Sequence, residues 1–322
     1  MNASTSLTLL SFNLWHGLNH NQPKLMLPAE TWGEKQAREK SLLETFRNLI
    51  PEQGIFVAAL QELNPIHRKL NLLSNTLNLS SAGAEGNVGL RLGQISYPFL
   101  LQEGLGFLWN SQLKTNPILD PQRFVLSGPC PDYKSPFLKI PLTFQLTERR
   151  VALMMSGTVG PFKVGFINTH LHHGNPKWKE SGTRRENELN TLFEQSKNYF
   201  GDDHDFVFLM GDFNCYPGLK EYDLILQNGF EEISLDSNNK PIVSWDPFEN
   251  MQCRHSVDMT QDPLIREWDN NKNAFDHIFI KKYSNSAKSS KIKTQSKRVF
   301  DTGPVWPSDH YGILCQVEIK EF

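Results

Sequence analysis

The sequence predicts a layered α/β domain. Three observations carry that reading. Short apolar runs recur along the whole 322-residue chain, amphipathic segments of helical spacing lie between them, and one late apolar run, Gly312–Ile319, returns near the end. No linker or fixed-period repeat divides the chain, so residues 1–322 read as a single domain.

Leu7–Phe12 reads as a strand. Leu42, Leu43, Phe46, Leu49 and Ile50 fall at helical spacing, and Pro51 marks the stop. Ile55–Leu60 is apolar throughout, as a buried strand is. Ile66, Leu70, Leu73 and Leu77 mark a helix opened by Pro65. Strands are expected over Gly106–Trp109, Phe137–Leu146, Val151–Val159 and Lys163–Thr169. A helix over about Arg184–Tyr199 puts Leu189, Leu192, Phe193 and Ser196 on one face. Phe206–Met210 is a buried strand, Leu219–Gln227 a helix, and Phe275–Ile280 a late strand. Two segments fit no element. Asp236–Asn273 is polar, studded with aromatics and too long for a connector, which marks a candidate functional loop. Lys281–Arg298 holds seven basic residues and no acidic one, and reads as a solvated hairpin before a phosphate or anionic-membrane contact.

Composition narrows the function classes. A hydrophobic share of 39% with 21% charged residues excludes a disordered, collagen-like or coiled-coil chain. The net charge of −2 indicates no whole-protein electrostatic grip on nucleic acid, although a local patch would suffice. Cys130, Cys215, Cys253 and Cys315 are far apart, so neither a zinc knuckle nor a disulfide framework is expected, and a reducing compartment is. The chain has no run long enough to span a bilayer, no secretory look at its start and no lipidation box at its end. A cytoplasmic location is the expectation, with leaderless export as the alternative. No obligate protein partner is indicated.

Chemistry concentrates where apolar strands end. Asn13, Glu62 and His170 each follow an apolar run, Asp212 and Asn214 follow Phe206–Gly211, and Asp309 and His310 precede Tyr311–Leu314. A single polar residue there is usually a turn residue. Five such cases deliver side chains to one rim if the strands share a sheet. Glu62, Asp212 and Asp309 are hard anionic oxygen donors, and Asn13 and Asn214 are neutral ones. That set suits Mg²⁺ or Mn²⁺, not zinc. The imidazoles of His170 and His310 add donors for phosphate oxygens or proton transfer. Together the groups describe metal-assisted phosphoester hydrolysis.

The blocks Ser11-Phe12-Asn13-Leu14-Trp15, Leu60-Gln61-Glu62, Asn168-Thr169-His170-Leu171, Gly211-Asp212-Phe213-Asn214, Phe275-Asp276-His277-Ile278-Phe279 and Ser308-Asp309-His310 occur in an order that resembles the endonuclease/exonuclease/phosphatase superfamily. That group includes DNase I, abasic-site endonucleases, neutral sphingomyelinases and inositol-polyphosphate 5-phosphatases. The resemblance implies a four-layered α/β sandwich, two central sheets flanked by helices, with the site at one end. It implies Glu62 as the metal ligand with Asn13 and Asp309 close by, and Asp212 orienting or deprotonating the attacking water. Asn214 and His170 would contact the phosphate. His310 would stabilise the pentacovalent state, aligned by Asp276. Glu103 would pair with His170, although Trp109-Asn110-Ser111 departs from the usual pattern that follows.

Thr169-His170-Leu171-His172-His173 also resembles the start of a metallo-β-lactamase metal motif. Gly174-Asn175 stand where that motif requires Asp and His, so His172 and His173 read as rim residues. Arg184 and Arg185 read as helix surface or as phosphate contacts. Val243–Phe248 and Trp306 either form a loop mini-core or serve to stack a base, cover a sugar or insert at a lipid surface. The first block and Leu171-His172-His173-Gly174 look most like uncharacterised bacterial members near the sphingomyelinase branch. A phosphodiesterase acting on a lipid, a nucleic acid or a small molecule is the expectation. A phosphomonoesterase, a nuclease and a catalytically silent scaffold are the alternatives.

Overall fold

Strands with two apolar faces build the centre of the molecule. The computed structural model describes residues 4–15, 31–92, 95–115, 121–128, 142–144, 149–174, 179–201, 203–259, 266–267, 269–284, 287, 289–301 and 305–320. Cys130 and most of the strand expected over 137–146 lie outside the described residues.

The elements in chain order are β1 (Ser4–Asn13), α1 (Trp32–Leu49), β2 (Ile55–Leu63), α2 (Ile66–Leu77), β3 (Ser80–Leu92), β4 (Ile95–Trp109), β5 (Lys114–Thr115), β6 (Gln122–Ser127), β7 (Leu142–Phe144), β8 (Arg150–Val159) and β9 (Phe162–His170). They continue with α3 (Lys179–Phe200), β10 (Phe206–Asp212), α4 (Lys220–Gln227), β11 (Glu231–Glu232), α5 (Met251–Met259), β12 (Asp276–Lys282), β13 (Lys291–Val299) and β14 (Gly312–Lys320). One sheet has the order β13-β14-β1-β2-β4-β3-β7, and the other β11-β12-β10-β9-β8-β5, with β6 also on β8. The pairs β1/β2 and β9/β10 are parallel.

Alternation along the strands makes the layers. Leu7, Leu9, Val57 and Ala59 face inward and share a core with Phe166, Phe208, Met210 and Ile278 of the other sheet. Leu10, Phe12, Phe56 and Ala58 face outward, onto Leu42 and Phe46 of α1 and Leu70 and Leu73 of α2. On the far side, Met154, Ile167, Val207 and Leu209 meet Leu189 and Leu192 of α3 and Tyr222 and Ile225 of α4. The result is a four-layered helix–sheet–sheet–helix sandwich. Both faces of the central strands are buried, so their sequences are unbroken apolar runs and not alternating ones. Each large side chain buried there stabilises the fold by roughly 1.5–3 kcal/mol.

Where sequence and structure differ, the reason is local. β3 carries glycines and polar residues and has no apolar run to announce it. Its Gly83 lies under α2, where an added Cβ would meet Leu70 at 2.5 Å, so glycine lets the helix rest directly on the sheet. The 236–273 segment is not wholly irregular: α5 lies within it. The basic segment 281–298 is not a hairpin. β12 belongs to one sheet, whereas β13 pairs with β14 in the other. Lys291, Lys293 and Lys297 are exposed on β13, an edge strand, where charge discourages pairing with a second chain. Of the two arginines, only Arg185 differs from both expectations. Arg184 pairs with Glu188. Arg185 is fully buried, donates from Nε to Glu221 at 2.8 Å, and holds the carbonyls of His172 and Gly174.

Gly211 fixes how β10 reaches the site. Its φ is +156°, and an added Cβ would lie 2.1 Å from the Thr169 carbonyl oxygen of the neighbouring strand. Gly211→Ala must push β9 and β10 apart one residue before Asp212. We expect a loss of about 3 kcal/mol, at the upper end of overpacking costs, measured by denaturant unfolding. Wild-type stability in that variant would refute the close approach.

Candidate active site

Strand register brings the candidate residues to one end of the sandwich. In the second sheet Asp212 pairs laterally with His170 on one side and Asp276 on the other. All three share the inward parity of Phe166, Phe208 and Ile278, so their side chains enter the space between the sheets. In the first sheet Asn13 pairs with Gln61, also on the inward parity. Gln61 Nε2 donates to Asn168 Oδ1 at 2.8 Å, and Asn168 Nδ2 donates to the carbonyls of Leu60 and Gly106 at 3.0 and 2.9 Å. This buried amide pair ties the two sheets together beneath the site.

Alternation would turn Glu62 away, because its neighbour Gln61 faces in. The β2/β4 register slips between Leu60 and Leu63, and Glu62 adopts φ 53°. Such a bulge re-aims a side chain. Glu62 Oε1 thereby accepts from Asn13 Nδ2 at 3.0 Å, and the same amide nitrogen donates to Asp212 Oδ2 at 3.0 Å. Asn13 Oδ1 accepts the Trp15 N–H at 3.0 Å, which sets the orientation of the amide. Through its nitrogen Asn13 is a neutral bridge that holds the Glu62 and Asp212 carboxylates close together, beside the carboxylate expected to bind the metal.

Three nitrogens surround one oxygen of Asp212. Besides Asn13, His170 Nε2 lies 3.5 Å and His310 Nε2 3.8 Å from Asp212 Oδ2. The other oxygen accepts the Asn214 N–H at 3.0 Å. Burial, and then the charge of Asp276, push the Asp212 carboxyl up to about 6, against the pull of His310. His310 Nδ1 sits 2.7 Å from Asp276 Oδ2. Burial disfavours the imidazolium, but the Asp276 charge and hydrogen bond outweigh it and raise His310 to about 10. Burial, with the nearby Arg150 charge, holds His170 well below the usual histidine range. These shifts favour a protonated His310 and a neutral His170 on either side of the Asp212 carboxylate. That is a base beside an acid, with donors ready for developing negative charge.

The Ser308–His310 turn is fastened from both sides. Ser308 Oγ donates to the Asn13 carbonyl at 2.6 Å, and Asn250 Nδ2 donates to the carbonyls of Ser308 and Asp309 at 3.0 and 3.2 Å. Ser256 of α5 donates to Asp309 Oδ2 at 2.7 Å. Trp245 is buried with Cys253, Val257 and Phe275 and meets the His310 ring edge-on, with centroids 5.0 Å apart. The 236–273 segment is thus a small core that props His310, and Trp245 is not available to stack a base. Trp306 packs on Tyr311. Asn214 Nδ2 donates to the Leu171 carbonyl at 3.1 Å, and its Oδ1 faces His173 Nδ1 at 3.0 Å. Glu103 lines a narrow crevice with His170, Arg149 and Arg150.

Asp212, Asp276 and His310 bring potential ligand atoms within 4.8 Å of one another. In that set Asp276 takes one nitrogen of His310, and a cation would have to displace the proton that the two flanking carboxylates favour on the other. Glu62 and Asp309 suit a hard cation better. Burial raises Asp309 to about 6, and the Glu62 charge adds to the rise, a repulsion that a bound cation would relieve.

Sequence reasoning missed the supports of this site. Gln61, Asn168, His277 and Ser308 stand inside the motif blocks, which was their only signal. Ser256, Asn250 and Trp245 had none beyond lying in a long loop. His277 is fully buried, with Nδ1 2.7 Å from Glu232 Oε1 and Nε2 3.0 Å from the Cys215 carbonyl. Both partners are acceptors, so the ring is an imidazolium. Burial opposes its charge, yet Glu232 raises His277 above 6.5; burial likewise opposes the Glu232 charge, and His277 lowers Glu232 below 4.5. The His277 contribution is complete below about 6.5 and fades as pH rises through the higher folded value; the Glu232 contribution is complete above about 4.5 and fades as pH falls through the lower one. We expect Glu232→Gln to cost about 3 kcal/mol near pH 6, with a smaller difference from wild type at higher pH. Melting curves across pH check this, and a pH-independent difference would refute it.

A family model for the endonuclease/exonuclease/phosphatase family matches residues 10–310. The chain belongs to that family. Its members are metal-dependent phosphoester hydrolases, and this chain is an enzyme of that kind. Similar solved structures include a family protein from Bacteroides vulgatus, 14% identical, with TM-score 0.60 and coverage of 97% of this chain and 98% of the other. Another, from Bacteroides thetaiotaomicron, is 16% identical, with TM-score 0.59 and coverage of 99% and 96%. D. rerio TDP2, complexed with single-strand DNA product, is 16% identical, with TM-score 0.56 and coverage of 97% and 98%. These likenesses bear on the fold. No curated protein matches the chain by sequence. Among the described residues no helix is long and apolar enough to cross a membrane.

Proposed function

We propose that this enzyme is a Mg²⁺-dependent phosphodiesterase in which water attacks phosphorus in line with the leaving group. The observation that carries the reading is the Asp276–His310–Asp212 array, a protonated imidazole between two buried carboxylates. Asp212 takes the proton of the attacking water. His310, steadied by Asp276, donates a hydrogen bond to the nonbridging oxygens as charge builds on them. Asn214 and His170 hold the phosphate from the other sides. Glu62 and Asp309 would hold Mg²⁺ or Mn²⁺, which when bound polarises the phosphoryl oxygen and neutralises developing charge. The protein's own task is to keep acid, base and phosphate donors aligned, which the buried amides and the 236–273 segment do.

A panel of plasmid DNA, single-stranded DNA, RNA, sphingomyelin, phosphoinositides and bis-p-nitrophenyl phosphate, run with Mg²⁺ and with EDTA, tests the proposal. Hydrolysis of a diester that stops in EDTA is expected. Turnover of monoesters alone, or undiminished diester turnover in EDTA, would overturn it.

A further inference from the structure

The turn after β9 carries a second imidazole–carboxylate arrangement. Arg185 grips the carbonyls on both sides of His173, and Glu188 accepts the His172 N–H at 2.8 Å. This fixes the backbone that carries His173, whose side chain stays partly exposed. Asn214 has φ 49°, and its amide is oriented by donation to the Leu171 carbonyl. The atom facing His173 is therefore Oδ1, an acceptor, so His173 Nδ1 carries the hydrogen. His173 Nε2 then faces Asp269 Oδ2 at 3.7 Å. Asp269 is buried, its Oδ1 accepts no hydrogen bond, and its own carbonyl is held by Trp245 Nε1 at 2.7 Å. Trp245 is the ring that props His310. One segment, 236–273, thus reaches both proposed phosphate contacts, His310 directly and Asn214 through His173.

We infer that His173, backed by Asp269, is a positioning residue that locks the Asn214 amide so that its second Nδ2 hydrogen faces the substrate phosphate. The inference rests on the phosphoryl-transfer reading above. Without the His173 donor only the Leu171 carbonyl holds the amide, so it turns more readily to present its oxygen to an anion, which weakens phosphate binding and transition-state contact together. Asp269 acts through the same ring.

Histidine analogues separate this role from a merely structural one. Asparagine places an N–H near the Nδ1 position, whereas glutamine places one near Nε2. We expect His173→Ala and His173→Gln to lower kcat/KM, and affinity for inorganic phosphate measured by titration calorimetry, by roughly 10–100-fold, the range for losing a group that orients a contact residue. His173→Asn should recover most of that loss. In an Asn214→Ala background, His173→Ala should cost little more, and Asp269→Asn should not add fully to His173→Ala. Equal losses in the alanine, glutamine and asparagine variants, wild-type behaviour of His173→Ala, or fully multiplicative losses with Asn214→Ala would each overturn the assignment. A wild-type enzyme that binds phosphate but hydrolyses none of the panel would sink the phosphodiesterase reading alone, because the phosphate affinities of the variants still decide the role of His173. Wild-type protein that neither binds phosphate nor hydrolyses any of the panel would overturn both.

Discussion

His310→Ala is expected to lower turnover by about two to four orders of magnitude, the range for a lost acid–base or charge-stabilising group. The imidazolium lies between Asp276, at 2.7 Å, and Asp212, at 3.8 Å, so its removal takes away the donor and leaves two buried carboxylates uncompensated. Asp212→Ala should fall in the same range. Asp276→Asn should act through the same ring, so its loss should not multiply with that of His310→Ala. It should also leave a signature of its own. The Asp276 charge is what lifts His310 to about 10 against burial, so the alkaline limb of the kcat profile should move to lower pH in Asp276→Asn. The sign is fixed, because a less stabilised imidazolium gives up its proton earlier as pH rises. Turnover of the single and double mutants, with pH profiles and thermal melts, checks these expectations. A folded His310→Ala enzyme with wild-type turnover would remove His310 from the mechanism, and independent losses would separate Asp276 from it.

Glu62→Gln is expected to raise the metal concentration needed for half-maximal activity by at least roughly 10–100-fold, since the loss of a mere supporting partner already costs that much. The substitution keeps the size of the side chain and the hydrogen-bond acceptor for Asn13 Nδ2. What it removes is the charge that, with Asp309, favours a hard cation. Excess Mg²⁺ or Mn²⁺ should therefore restore part of the activity, which separates a weakened metal site from a broken fold. Metal titrations of activity and of binding are the measurement. An unchanged metal requirement in Glu62→Gln would place the ion elsewhere.

The layered α/β class was legible in unbroken apolar runs such as Phe206–Met210, because strands buried on both faces need apolar residues at every position. The motif blocks named the polar residues at the strand ends for the same reason: a strand leaving the core changes character abruptly. Other features were beyond local reading. β3 has the composition of a loop, and only the helix resting on Gly83 explains why it is a strand. Lys281–Arg298 looked like a hairpin, but whether two strands pair is decided by which sheet offers each a partner. At Glu62 the alternation of β2 predicts the wrong direction, and a bulge with φ 53° sends the carboxylate to Asn13. Asn13 showed the right residue at the right place, yet its orientation depends on the Trp15 N–H. The sequence by itself determined which chemical groups are present and that they lie at strand ends. The tertiary structure alone decided which of them meet, because hydrogen bonds between residues 199 positions apart, such as Asn13 Nδ2 to Asp212 Oδ2, form only when two sheets pack face to face.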